Sequence, residues 1–115
     1  MANTFKVVTK AGVTTLDDIY TVAGSTTTVV LGLVLGNTTS SQVTATVTLS
    51  SDTANRAGNN DEANQDVEIV TDAPIPQGSS LSVLDGKVAM ETTDILKVSA
   101  SGATDVILSI MEQTY

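Results

Sequence analysis

Val43-Thr44-Ala45-Thr46-Val47-Thr48-Leu49-Ser50 alternates without a break. Val43, Ala45, Val47 and Leu49 fall on one face of an extended chain, and Thr44, Thr46, Thr48 and Ser50 on the other, because successive side chains of a strand point to opposite sides. Such a stretch reads as a strand with one buried and one solvated face. Nowhere in the chain do apolar residues recur in a sustained way at i, i+3, i+4 and i+7, whereas period-2 alternation recurs throughout. Thr, Ser and Val dominate the composition and suit half-buried pleated strands.

Working outward, residues 26–36 form a second strand, and Asn37-Thr38-Thr39-Ser40-Ser41 a polar turn between the two. This predicts an antiparallel hairpin with a longer loop. A tighter hairpin is predicted at Ser80-Leu81-Ser82-Val83-Leu84, Asp85-Gly86, Lys87-Val88-Ala89-Met90-Glu91. Asp-Gly suits a type I′ turn, whose central residues both need φ > 0. A two-residue loop sets Val83 opposite Val88 and Leu81 opposite Met90. Leu81, Val83, Val88 and Met90 then point inward, while Leu84 and Ala89 fall on the outer face.

Further strands are predicted at 94–100 and 104–112, with a tight turn at Ser101-Gly102-Ala103. Leu96, Val98 and Ala100 point inward, and Val106, Leu108 and Ile110 share one face of the final strand. Residues 5–9 form an edge strand, 19–22 another strand, and 66–70 one more. Asp72-Ala73-Pro74-Ile75-Pro76-Gln77-Gly78 reads as a rigid crossover between sheets, since proline lacks the ladder N–H. Residues 51–65 form a long, acidic, polar loop without apolar periodicity. Eight or nine short strands in one domain, residues 1–115, make an all-β antiparallel β-sandwich of the jelly-roll or Ig-like kind.

Composition narrows the function. Hydrophobic residues make up 41% of the 115-residue chain and aromatics only 3%, so the core rests on Val, Leu, Ile, Ala and Met. The absence of Cys and His removes disulfides, thiolate metal sites, His bases and Ser-His or Cys-His catalysis. Ser-Lys and paired-carboxylate chemistry stay formally open, but most carboxylates lie where turns form. No catalytic residue, cofactor or metal is expected. Asn59-Asn60-Asp61-Glu62, with Asp52 and Asp66, does not follow the ligand spacing of an EF-hand loop. Gly32-Leu33-Val34-Leu35-Gly36 lacks the GK[ST] of a phosphate loop, and a glycine inside a strand more often marks a bulge.

Thirteen acidic residues against five scattered basic ones give a net charge of −8, the wrong sign for nucleic acid. No secretory signal or membrane span is expected, since the longest apolar stretch is short and interrupted. Two strands are apolar on both faces. Val30 and Val34 oppose Val29, Leu31, Leu33 and Leu35, and Ile107 and Met111 oppose Val106, Leu108 and Ile110. Either loops or central placement cover Val30, Val34, Ile107 and Met111, or these residues form a subunit interface.

Residues 28–37 and 44–49, the run from Ala73-Pro74-Ile75-Pro76-Gln77-Gly78 through Asp85-Gly86-Lys87 to Val98, and Leu108-Ser109-Ile110-Met111-Glu112 together resemble small virion proteins of tailed phages, marine ones in particular. The chain departs from that pattern at Glu91-Thr92-Thr93-Asp94, where a glycine is expected before the Asp, and in the long segment 51–65. The resemblance implies a multi-copy virion structural protein, made in the host cytoplasm and not an enzyme. A capsid cement or decoration protein comes first, with the major capsid protein as partner and homo-oligomeric contacts. A neck, tail or baseplate accessory protein, or the base of a fibre, is the alternative. A carbohydrate- or receptor-binding module is the reading from another class, with Tyr20 and Tyr115 as the aromatics it would use.

Overall fold

The computed structural model describes residues 2–51, 65–84 and 87–115. They form nine strands: β1 (Ala2–Val13), β2 (Asp17–Thr21), β3 (Thr26–Asn37), β4 (Val43–Ser51), β5 (Gln65–Ile75), β6 (Ser80–Ser82), β7 (Val88–Met90), β8 (Ile95–Ala100) and β9 (Thr104–Thr114). The first sheet runs β1-β9-β3-β6, with β7 also on β3, and the second runs β2-β8-β4-β5. Every pairing is antiparallel.

The order follows one rule. β1 pairs with β9, β2 with β8, β3 with β6 and β7, and β4 with β5, as in a single long antiparallel ribbon rolled up so that alternate rungs fall in opposite sheets. That is the jelly-roll winding of the sandwich. Its consequence is that chain neighbours such as β3 and β4, or β8 and β9, face each other across the core instead of pairing side by side.

Two predicted hairpins are therefore corrected. The strands flanking residues 38–42 lie in different sheets, so this loop is a corner and not a hairpin. Buried Asn37 fixes the corner: its Nδ2 donates to the carbonyls of Ser41 at 2.8 Å and Ile75 at 2.9 Å, and its Oδ1 accepts from the Thr39 N–H at 2.8 Å. The second correction concerns β6 and β7, which do not pair with each other. Both lie along β3, with Val34 opposite Ser82 and Val30 opposite Val88. Twelve-residue β3 offers one continuous hydrogen-bonding edge, and pairing both segments to it satisfies that edge along more of its length than a hairpin could. Asp85 and Gly86 lie outside the described residues, and so does the predicted turn. The inward set survives the change of partner: Met90 is in the core, with Leu81, Val83 and Val88 packed against it. Leu84, expected outside, packs there as well.

The predicted crossover also starts later than expected. Residues 72–75 remain in β5, with Thr44 opposite Pro74 and Val43 opposite Ile75. Pro74 is tolerated because β5 is an edge strand with no ladder to donate to on its free side. The chain changes sheet at Pro76-Gln77-Gly78-Ser79, a turn closed by Ser79 N–H donating to the Pro76 carbonyl, with Gly78 at φ +68°.

The core lies between the sheets. Val30, Leu33, Leu35, Val106, Leu108 and Ile110 from the first sheet meet Val43, Ala45, Val47, Ile75, Leu96 and Val98 from the second. Gly102 makes the β8–β9 corner possible, because a Cβ there would lie 2.8 Å from Val43 Cγ1. At Glu91-Thr92-Thr93-Asp94 the turn forms without the glycine: Asp94 N–H donates to the Glu91 carbonyl, and Thr93 takes φ +71°. The residue that the pattern replaced by threonine is thus the one held in the left-handed region, where a β-branched side chain is costly.

Candidate interaction surface

The two sheets turn unlike faces to solvent. On the first sheet the register places Phe5, Met111, Val29 and Ala89 side by side across β1, β9, β3 and β7. Four residues along β9, Thr9, Ile107, Val34 and Ser82 form a second row. Between them run Val7, Ser109 and Gly32. Nothing lies within 4 Å of where a Gly32 Cβ would stand, so the sheet is open there. Apolar side chains occur in all three rows, with Thr9, Ser82 and Ser109 between them. Phe5 is 73% exposed, Val7 65%, Ile107 47% and Leu31 40%. Large apolar side chains left this open on three adjacent strands form a patch of the kind that marks contact sites.

Of the sequence-predicted interface residues, Ile107, Met111 and Val34 lie together on this face, with Ile107 exposed and the other two half-buried. Val30 does not join them; at 1% exposure it belongs to the core. The reason is a bulge. Val30 stands opposite Ile110 and Gly32 opposite Ser109, so Leu31 is an extra residue that shifts the alternation of β3 by one. Before it the even residues Thr26, Thr28 and Val30 point inward; after it the odd residues Leu33, Leu35 and Asn37 do. Half of the two-sided apolarity of β3 is thus a change of parity. The other half, at Val29, Leu31 and Val34, is an apolar outer face. Phe5 and Val7 escaped sequence reasoning as contact residues, although their alternation with Lys6 and Val8 in an edge strand was the available signal.

The outer face of the second sheet is polar. Thr46, Thr48, Ser99, Asp66, Glu68, Thr71 and Asp72, with Leu16, line a hollow of about 390 Å³. Two hydrogen bonds join groups of its lining: Asp72 N–H donates to Thr46 Oγ1 at 3.0 Å, and the Thr71 hydroxyl to Glu68 Oε1. Among the described residues no three of His, Cys, Asp and Glu are placed to share a metal ion. Asp52 and the predicted acidic cluster at 59–62 lie outside the described residues.

A polar latch joins the two sheets at one end. The Tyr20 hydroxyl, from β2, donates to Glu112 Oε2 of β9 at 2.5 Å and lies 2.7 Å from the hydroxyl of fully buried Thr28 on β3. Lys6 of β1 closes on Glu112 Oε1 at 2.7 Å. Burial first, then the hydrogen bond to Glu112, push the Tyr20 phenol up to about 12. Lys6, then Tyr20, hold Glu112 below the usual carboxylate range. The arrangement favours a neutral phenol and a charged carboxylate. It anchors β1, whose outer face carries Phe5 and Val7, to the rest of the sandwich. Tyr20 is committed to this latch, while Tyr115 remains 68% exposed.

No protein-family model matches the chain. No curated protein matches it either. Among solved structures it is similar to a protein of Bacillus endospore appendages, described as forming a novel family of disulfide-linked pili. The likeness has a TM-score of 0.50 at 16% identity and covers 98% of this chain and 87% of that one. At that identity it is a likeness of fold. The disulfides named for those pili have no counterpart in this chain, which has no cysteine.

Proposed function

We propose that this chain is a non-catalytic structural subunit of a multi-copy particle, in the first place a virion cement or decoration protein, held to its neighbours by the apolar outer face of its first sheet. The observation that carries the proposal is the set of Phe5, Val7, Leu31 and Ile107 on one open face, each at least 40% exposed, in a chain whose other outer face is polar. Burying such a surface against a partner returns about 25 cal/mol per Å² of apolar area, less the cost of association. The virion setting rests on the sequence resemblance. The similarity to a pilus protein supports the broader idea of a sandwich used as a repeated unit, and the absence of cysteine means that any such assembly is not disulfide-linked. Quantitative mass spectrometry of purified particles tests it. A copy number on the scale of the major capsid protein is expected. A few copies per particle would move the subunit to a neck or tail position, and absence from particles would end the proposal.

A further inference from the structure

Among the described residues the sandwich has four strand edges: β1 and β6/β7 on the first sheet, β2 and β5 on the second. Three are blunted in ways that discourage strand addition. β2 has five residues and a register shift at Ile19. The β6/β7 edge is interrupted. β5 carries Pro74 and two register shifts, all beyond Glu68, so that only its first residues are regular. β1 is different: it pairs with β9 without a shift from Ala2 to Lys10, and from Asn3 to Lys10 its side chains are exposed apart from half-buried Val8. Long, regular and open, it is the edge able to accept another strand.

Charge indicates which strand. In a chain of net charge −8, β1 holds two of the five basic residues, Lys6 and Lys10, and no carboxylate. β5 holds Asp66, Glu68 and Asp72 and no cation. Antiparallel pairing of β1 with a second β1 would bring lysine-bearing edges together, whereas β1 against β5 brings opposite signs together. The stretch Asp66-Val67-Glu68 precedes the first shift of β5 and pairs regularly with β4, and Val67 is 55% exposed. With Phe5 opposite Val67, an antiparallel register sets Lys6, 54% exposed beside its partner Glu112, opposite Asp66 and Thr4 opposite Glu68, an apolar pair beside charges of opposite sign.

We infer that copies of this chain join head to tail, the β1 edge of one copy pairing with the Asp66-Val67-Glu68 stretch of β5 in the next. This rests on the multi-copy reading above and names its partner as a second copy. β1 lies over β2, whereas β5 ends the second sheet on the opposite flank, so the contact is heterologous and each joined pair leaves one free β1 and one free β5. Such contacts grow into rings or filaments instead of stopping at dimers.

The natural absence of cysteine makes the test clean. The single variants Phe5→Cys and Val67→Cys and the double variant are mildly oxidised at a concentration where light scattering shows the unmodified chain associating. A ladder of covalent oligomers from the double variant, cross-linked dimers from the mixed singles and none from Phe5→Cys alone are expected. Dimers from Phe5→Cys alone would show two-fold β1 pairing and overturn the inference. So would an unlinked double variant while the unmodified chain associates, a result that leaves the structural-subunit reading standing. No association at any concentration would overturn this inference, and absence from particles would overturn that reading. As a second measurement, Asp66→Lys is expected to weaken association at least tenfold with an unchanged melting temperature; unchanged association would contradict the pairing.

Discussion

The two outer faces of this sandwich come from the same strand alternation and end up opposite in character. β4 and β8 turn Thr46 and Ser99 outward beside the carboxylates of β5, while Thr48 and Ser50, read from the sequence as solvated, are buried. β1, β9 and β3 turn out Phe5, Val7, Ile107 and Leu31. Core burial explains neither choice, since the inner faces of both sheets are equally apolar. A monomer needing only solubility gains nothing from the second pattern. The difference teaches that the first sheet is apolar on both sides, one packed on its own core and one left open, the surface that the proposed neighbour would cover.

The sharpest way to break the comparison is to exchange charge between the faces. Ile107→Lys is expected to weaken assembly about a hundredfold, roughly 2.7 kcal/mol, while thermal unfolding of the free subunit shifts little, because the side chain is already 47% exposed. Ser99→Lys, on the polar face, should leave assembly unchanged in the same light-scattering assay. Equal effects would mean that the faces do not differ in role.

A second prediction concerns the corner that sends β8 and β9 into opposite sheets. Gly102→Ala would press a Cβ against Val43, and should cost about 1–3 kcal/mol in denaturant unfolding.

The latch that anchors β1 gives a third. Tyr20→Phe leaves the Thr28 hydroxyl buried without its partner, at a cost of about 1–3 kcal/mol. The pH dependence follows from the two shifts. Glu112 is lowered on folding, so the stability it contributes is complete above the unfolded carboxylate value and is lost as pH falls through the lower folded one. Tyr20 is raised, so its contribution is complete below the unfolded phenol value and is lost as pH rises through about 12. Glu112→Gln should flatten the acid limb of the melting-temperature profile; an unchanged limb would remove Glu112 from the latch.

The smallest effect is expected at Thr93. Thr93→Gly relieves a left-handed threonine, worth about 1–2 kcal/mol, and gives back about 0.5–1 in backbone entropy. The net gain of about half a kcal/mol should appear as a higher denaturation midpoint.

Most strands were legible in the sequence because period-2 alternation is local: Val43 to Ser50, Val106 to Ile110 and the edge strand around Phe5 all follow from it. The pairing partners were not. Asp85-Gly86 announces a turn, yet whether β6 and β7 fold on each other or line up along β3 depends on what β3 offers, a long-range question. Gly32 did announce a bulge, but its effect on Val30 could be seen only once the shift against β9 was in place. The latch was invisible for the same reason, since Tyr20 and Glu112 are 92 residues apart. Of the candidate interface, Ile107 and Met111 could be read because β9 keeps one parity, whereas β3 changes its own.

Hydroxyl-radical footprinting of the free subunit and the assembled particle tests the central claim most directly. Phe5, Val7 and Ile107 report the first sheet's outer face, and Leu16, 55% exposed beside the polar hollow, reports the second's. The account predicts strong protection of the first three on assembly, with Leu16 labelled as before. Protection of Leu16 while Phe5 and Ile107 stay labelled would contradict it.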